Sequence, residues 1–311
     1  DRAEARWQAL VQKIDDEIDE TEDVTLAEAI DEFDPGFLDD PLAAWTVSSD
    51  TEDDVGAAVD DVSAYWFDED EAYPGPDLML PGGYDAILAP LAHGLDIRLR
   101  EVVTRIARRP DGAVVETATA RFEADHVVCT LPLGVLKAGR VAFDPPLPAA
   151  VDAAISAIGV GAVAKVGLRF DRRFWPADRR LFGHVDARRG RWPSFLSLSG
   201  LSGDALVGFA TGPYATVAEA MTSDERQADV MAVLADMFGP GLPAPTGVVA
   251  SAWVQDPFAL GVYSLPALGT TPKHFATLAA PIDDRLVLAG EHTDFARHGT
   301  VHGAHLSGER A

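Results

Sequence analysis

Leu288-Ala-Gly-Glu-His-Thr-Asp294, followed four residues later by Gly299-Thr-Val-His-Gly-Ala-His-Leu-Ser-Gly308, closes the chain with a strand, a loop and a helix. Just before it, Arg285-Leu-Val-Leu-Ala289 is a short apolar run of the kind that forms a strand buried on both faces. From about Thr300, Gly303, Ala304, Ser307 and Gly308 recur at helical spacing. Their small side chains let another backbone or a flat ligand lie close to that helix. Strand, loop and helix in this order belong to an open α/β sheet, where ligands gather at the carboxyl ends of strands and helix N-termini offer free N–H groups. Glu291 stands directly after the strand. His292, His302 and His305 are near, but neither an HExxH motif nor a full ligand set accompanies them, so no metal is expected.

Working back from this segment, residues 95–99, 102–106, 114–117 and 126–130 alternate or run apolar with β-branched residues, and Asp111-Gly112 is a hairpin signal. The pattern predicts a β-meander. A helix through 150–158 follows, then strands at 165–170, 194–198, 205–211 and 248–254, with a helix over 223–238 stopped by Gly239-Pro240-Gly241. Gly159-Val-Gly161-Ala-Val-Ala164 fits the spelling of a dinucleotide fingerprint. That motif needs a strand before it and a helix after it, and here the order is reversed, so a glycine loop that reverses the chain and aims Lys165 is expected instead. Lys165 falls in an apolar strand. A buried lysine is costly unless paired or functional, yet alternation along a strand equally allows it to face solvent, and both readings stay open.

The first 85 residues have a different texture. Trp7, Leu10, Val11, Ile14 and Ile18 predict an amphipathic helix over 3–19. Thr25 and Glu28 have capping-box spacing ahead of a second helix that Pro35-Gly36 stops. Residues 34–80 read as helical fragments and turns, with the acidic run 68–71 before Tyr73-Pro74-Gly75-Pro76 as a domain junction. These 85 residues hold 27 Asp and Glu against 3 Lys and Arg, whereas residues 86–311 hold 23 against 22. Such confinement argues for a local field that repels nucleic acid and attracts cations, against the alternative of a solvated acidic face without a partner. At 311 residues the chain is long enough for about two domains. Its 47% hydrophobic and 24% charged residues exclude a disordered or fibrous chain. No apolar run reaches the roughly 18 residues of a membrane span. Cys129 is the only cysteine, which leaves neither an intrachain disulfide nor a cysteine zinc site.

Read together, Pro81-Gly-Gly-Tyr84, Leu91-Ala-His-Gly-Leu-Asp-Ile97, Ala124-Asp-His-Val-Val-Cys-Thr-Leu-Pro-Leu-Gly-Val-Leu-Lys137, Phe143-Asp-Pro-Pro-Leu-Pro148, Phe174-Trp-Pro176, Leu181-Phe-Gly-His-Val185, Asp256-Pro257, Tyr263-Ser264 and Ala289-Gly-Glu-His-Thr293 resemble the flavin-containing amine oxidases. The branch they resemble is that of the polyamine oxidases and lysine-specific histone demethylases, in order and spacing from about residue 78 to the end. The resemblance implies a Rossmann-like FAD-binding domain (80–161 and 281–311) interleaved with an α+β substrate domain (1–79 and 162–280) having a mixed sheet flanked by helices. It implies non-covalent FAD. Lys165 matches the lysine that holds a water against flavin N5, and this match favours a functional over a solvent-facing lysine. Gly290 and Glu291 match a Gly-Glu pair that contacts the ribityl and pyrophosphate part of FAD. Thr300 and Val301 open the helix facing the flavin pyrimidine ring. Val103, with Val102 as the fallback, matches a backbone contact to adenine, and Thr130, Leu131, Pro132 and Leu133 match the strand end beside the cofactor. Tyr263 matches one wall of the amine cage, with Trp253 packing near the ring.

Two departures qualify the resemblance. The family's first βαβ unit, with its glycine fingerprint, is absent, and the chain stops within the final cofactor helix, so a fragment cut at both ends and inactive as it stands is expected. Thr300 stands where many polyamine oxidases carry an aromatic residue, which leaves Tyr263 without a second aromatic wall. Cys129 does not occupy the family's position of covalent flavin attachment. The implied reaction is hydride transfer from the carbon next to an amine to flavin N5, with imine hydrolysis to an aldehyde and hydrogen peroxide from oxygen. A small cationic amine and oxygen are the expected partners, without nucleic acid, in the cytoplasm. The alternatives are an L-amino-acid oxidase or desaturase-like flavoenzyme of the same fold, or a non-catalytic binding module for basic peptides.

Overall fold

Helix Arg2–Glu17 buries Trp7, Leu10 and Ile14, the residues that recur at helical spacing, and leaves its acidic face to solvent. The computed structural model describes residues 2–69, 71, 73–75, 78–201 and 203–311. Helix Leu26–Phe33 begins with the expected reciprocal cap: Thr25 Oγ1 accepts the Glu28 N–H and the Glu28 carboxylate accepts the Thr25 N–H. Helix Pro41–Val47 runs into a π-turn, Ser48–Glu52, and a last turn Asp53–Val55 that Gly56 ends in the left-handed region at φ 68°. Ile14, Leu26, Ile30, Phe37, Val47 and Val62 form the first apolar cluster. The junction expected near 68–77 lies partly outside the described residues, at Asp70, Ala72, Pro76 and Asp77.

The second cluster lies against a five-stranded sheet in the order Gly247–Ala250, Val163–Arg169, Ala205–Thr211, Ser194–Ser197, Leu181–Gly183. Every pairing in it is antiparallel rather than mixed: short returns join Leu181–Gly183, Ser194–Ser197 and Ala205–Thr211, and the chain comes back to Val163–Arg169 on both of its sides in the antiparallel sense. Helices Gly212–Ala220 and Ser223–Phe238 contribute Ala215, Ala218, Val230 and Leu234 to the cluster below Leu168, Phe195 and Leu206.

The third cluster is built on parallel pairings. Strand Leu286–Leu288 runs beside Val127–Cys129, and a meander of Val103–Arg109, Gly112–Thr117 and Arg121–Ala124 pairs in parallel with Ala142–Asp144. Helices Leu133–Lys137, Ala149–Ala157 and Pro272–Ala279 close over Leu286 and Leu288, with Phe275 and Leu278 of the last helix in the same cluster. The strand expected at 95–99 is absent: Leu95, Ile97 and Leu99 alternate as a strand would, but no described strand pairs with them and all three are exposed. The segment 159–164 lies between helix Ala149–Ala157 and strand Val163–Arg169, and Gly159–Val160 pairs with Ser264–Leu265. At Gly161 a Cβ would come within 2.9 Å of the Val55 carbonyl oxygen. These glycines serve a crossing of chains.

Candidate functional site

Lys165 alternates with the buried Ala164 and Val166, so its side chain leaves the sheet on the face away from the second cluster. Its backbone pairs with Ser251 through Lys165 N–H to Ser251 Oγ (2.8 Å) and Ser251 N–H to the Lys165 carbonyl (2.9 Å). The Nζ lies 5.3 Å from the ring centroid of its cross-strand partner Phe209. The side chain is exposed, as strand alternation allowed, but it opens onto a concave surface rather than a flat one. It lines a cavity of about 480 Å³ together with Phe209, Trp253 and Tyr263, and the same cavity is walled by Asp50, Asp53 and Asp54.

These three carboxylates stand at i, i+3 and i+4 along the π-turn and the helical turn after it, which puts them on one side. Glu52, between them, faces inward, where its carboxylate accepts from Ser48 Oγ (2.6 Å), the Val59 N–H (3.1 Å) and Arg189 Nε (3.0 Å). Burial raises the Asp53 carboxyl above the ordinary range, opposed by the hydrogen bond from Ser194 Oγ (3.1 Å) and by the charge of Lys165. The i, i+3, i+4 spacing was present in the sequence, but within 27 acidic residues nothing marked these three.

The Tyr263 ring lies between two glycines: a Cβ on Gly56 would meet it at 3.1 Å and one on Gly299 at 3.5 Å. Its hydroxyl donates to the Asp53 carbonyl (3.2 Å). Burial, then Asp53 and Asp54, push the phenol far above its usual range, so it stays protonated. Through Gly299 the tyrosine reaches the start of helix Val301–Arg310, where Thr300 Oγ1 caps the Gly303 N–H (3.0 Å). Val301 is half-exposed on the first turn.

Glu291 occupies the loop at the carboxyl end of strand Leu286–Leu288, where a pyrophosphate or ribityl contact was expected. Its carboxylate accepts from Ser264 Oγ (2.5 Å), the Ser264 N–H (3.3 Å) and the Gly299 N–H (2.7 Å), bridging the residue after Tyr263 to the residue before Thr300. The Gly290 N–H donates to Ser307 Oγ (2.8 Å), which docks the small-residue face of the terminal helix on the strand end. His292 is buried, and burial lowers its pKa. Among the described residues no three His, Cys, Asp or Glu side chains converge on a point that could hold a metal.

A second cavity, of about 650 Å³, is lined by Val102, Val103, Leu131, Val135, Pro257 and Phe258. Thr130 and Pro132 are exposed beside Leu131, whereas Leu133 is buried in the third cluster and supports the wall from behind. Cys129 is buried in its strand, and burial raises its thiol, which suits packing rather than attachment of a cofactor. A mainly apolar cavity with exposed Val102 and Phe258, and with Arg100, Glu101 and Arg140 also on its lining, fits a flat heteroaromatic ring that carries polar edges. The capped helix start at Thr300, with its free N–H groups beside Tyr263, fits a second, electron-accepting ring. The expected site residues thus fall into three neighbouring groups: Lys165, Trp253 and Tyr263; Gly290, Glu291, Thr300 and Val301; and Val102, Val103 and Leu131.

Residues 19–311 match the family described as flavin containing amine oxidoreductase. The chain is 36% identical over 273 residues to polyamine oxidase 4 of Oryza sativa subsp. japonica, covering 87% of this chain and 55% of that protein. It is 36% identical over 259 residues to the lysine-specific histone demethylase 1 homolog 1 of the same organism, covering 80% of this chain and 30% of that one. A solved structure of putrescine oxidase bound to putrescine shares the fold, with a TM-score of 0.62 at 23% identity over 72% of this chain and 50% of that chain. The chain therefore spans about half the length of the polyamine oxidases it matches. The cofactor that this family brings is non-covalent FAD. With a family match over nearly its whole length, the chain belongs to the flavin-containing amine oxidoreductases.

Proposed function

We propose that this chain carries the amine-binding side of an FAD-dependent oxidase acting on a polyamine or a related amine. The observation that carries the reading is the convergence of Lys165, Trp253, Tyr263 and three carboxylates on one cavity that adjoins, through Gly299, the N-terminus of the terminal helix. On this reading Val102, Val103 and Leu131 hold the adenine end of FAD, and Thr300 and Val301 face its pyrimidine edge. Segments 80–161 and 281–311 then form the cofactor domain, supported by their common apolar cluster.

Bound flavin supplies the two-electron oxidation of the C–N bond, and oxygen takes up the electrons as hydrogen peroxide. The protein's own part is electrostatic. Asp50, Asp53 and Asp54 attract an ammonium group into the cavity, while Lys165 repels positive charge from its own end. The nitrogen nearest Lys165 is therefore favoured as the free amine, whose lone pair the oxidation requires, and a second, charged nitrogen is favoured at the carboxylates. Phe209, Trp253 and Tyr263 confine the methylenes between them and exclude water. The protonated Tyr263 adds no negative charge near the reacting carbon. Among the described residues the cavity lining has three carboxylates against the single cation Lys165 and no arginine, which disfavours an amino acid carboxylate as the anchoring group. The test is peroxide release and flavin bleaching in the flavin-loaded enzyme with spermidine, 1,4-diaminobutane, butylamine, an L-amino acid and a dimethyl-lysine peptide. Turnover of the di- and triamines above the others is expected. Turnover of the amino acid alone would replace the reading.

A further inference from the structure

Segment 251–263 has turns but almost no regular structure, yet it walls both cavities: Trp253, Val262 and Tyr263 face the amine side, and Pro257 and Phe258 the cofactor side. Trp253 is 50% exposed and Phe258 61%. Large rings held out of the core on irregular backbone need their position fixed by something other than a ladder of hydrogen bonds. At Trp253 one backbone bond, from the Gly261 N–H to the Trp253 carbonyl (3.1 Å), is joined by a side chain, Glu219. This glutamate, 5% exposed on helix Gly212–Ala220, accepts the N–H groups of Val254 (2.8 Å) and Gln255 (3.2 Å) on one carboxylate oxygen. Arg226 ties the same corner together, donating to the carbonyls of Ala218, Glu219, Met221 and Ser251. At the far end of the segment Gly134 touches the carbonyls of Ala259 and Leu260 so closely that a Cβ would lie 2.6 and 2.4 Å from them.

We propose that Glu219 is a positioning residue whose carboxylate sets the place of Trp253 in the amine cavity and, through the same segment, of Pro257 and Phe258 in the cofactor-side cavity. Glu219 itself lines neither cavity. What the cavities bind rests on the proposed amine oxidation, whereas the anchoring of the segment does not. The mechanism is loss of entropy: two charge-assisted hydrogen bonds next to Trp253 hold the turn in one conformation, so a ligand that packs on the indole need not order it.

Three readouts test this. In the unmodified protein the amide hydrogens of Val254 and Gln255 should exchange at least tenfold more slowly than in an unstructured peptide; free exchange would overturn the proposal even if no variant folds. In Glu219→Ala, acrylamide quenching of Trp253, isolated by subtraction of the Trp253→Phe protein, should rise at least twofold with far-ultraviolet circular dichroism unchanged. Glu219→Gln, which keeps an acceptor oxygen, should restore the original quenching, and equal quenching in all three proteins would overturn the role. Binding of 1,4-diaminobutane, followed by calorimetry, should weaken at least tenfold in Glu219→Ala and not in Glu219→Gln. If the unmodified protein fails to bind the diamine, the amine reading falls, while exchange and quenching still decide the anchoring.

Discussion

Glu291, which resemblance expects at the cofactor, also holds protein groups together, and Glu291→Ala in flavin-free protein measures that second role. If the carboxylate acts only by touching a cofactor, its removal changes nothing when no cofactor is bound. The structure gives it three protein donors, of which Ser264 is 1% exposed, and its own side chain is 20% exposed. A hydrogen bond to a charged group contributes about 1.5–3 kcal/mol, and water can replace part of it at this exposure, so the three together are worth about 3 kcal/mol. For a chain of this length that is a fall in melting temperature of roughly 4–5 °C. Glu291→Gln keeps one acceptor oxygen and should lose about a third as much, roughly 1 kcal/mol. Differential scanning calorimetry of the three flavin-free proteins measures this directly. A Glu291→Ala protein that melts within about 1 °C of the parent would refute the clamp and return Glu291 to a purely cofactor-facing role.

Lys165→Met in the flavin-loaded enzyme should slow flavin reduction or reoxidation at least tenfold in stopped flow, and unchanged rates would remove Lys165 from the chemistry. Because burial raises Asp53, its charge is lost as pH falls through that raised value, at a pH where an ordinary aspartate is still ionised; diamine affinity should drop on the acid side, and Asp53→Asn should abolish this limb. Asp229 is the opposite case: burial works against its ionisation, but hydrogen bonds from Arg191, Tyr214 and Trp192 outweigh it and lower its pKa. The stability it adds is present above the ordinary aspartate value and lost as pH falls through the lowered one, so Asp229→Asn should cost about 3 kcal/mol at neutral pH and move acid unfolding to higher pH. An unmoved acid midpoint would contradict this. If the acidic part of the chain steers substrate, amine turnover at low substrate should decline as salt shortens the screening length from about 30 Å at 0.01 M to about 8 Å at 0.15 M, and a flat response would leave the acid as a solvated face.

The helices that announced themselves did so through caps and stops: Thr25 with Glu28, and Gly239 after Phe238, act within a few residues of where they stand. Strand Val163–Arg169 was legible because alternating burial is a local pattern. Helix Gly212–Ala220 was not, since it starts at Gly212-Pro213 and has little polar contrast between its faces, and helix Asp85–Ala92 carries Pro90 and buries no residue. The segment 95–99 has the alternation of a strand, but pairing depends on a partner that its own residues do not encode. At the site, residue types gave Lys165 and Tyr263 through resemblance, but no local signal ties Glu291 to Ser264, 27 residues before it, or Glu219 to Val254, 35 residues after it. Such pairings are set by how the layers pack, which is why the carboxylates that organise the site were harder to read than the residues they organise.

The acidity of the first 85 residues also divides once the fold is known. On helix Arg2–Glu17 the acids lie on the face opposite Trp7, Leu10 and Ile14, where amphipathicity alone accounts for them. Asp50, Asp53 and Asp54 are different, because a π-turn, an arrangement that tends to mark functional sites, turns them toward the cavity that Lys165 enters. Asp50 and Asp54 also line an adjoining cavity of about 460 Å³ beside Trp7, Asp15 and Asp68, so negative charge runs from the helical surface to the amine cavity. Solvation and attraction of cations are therefore not rival accounts of one charge. On the proposed amine reading, the outer acids satisfy the first and the inner three the second, and it is the inner three that would decide which nitrogen of a bound amine keeps its proton.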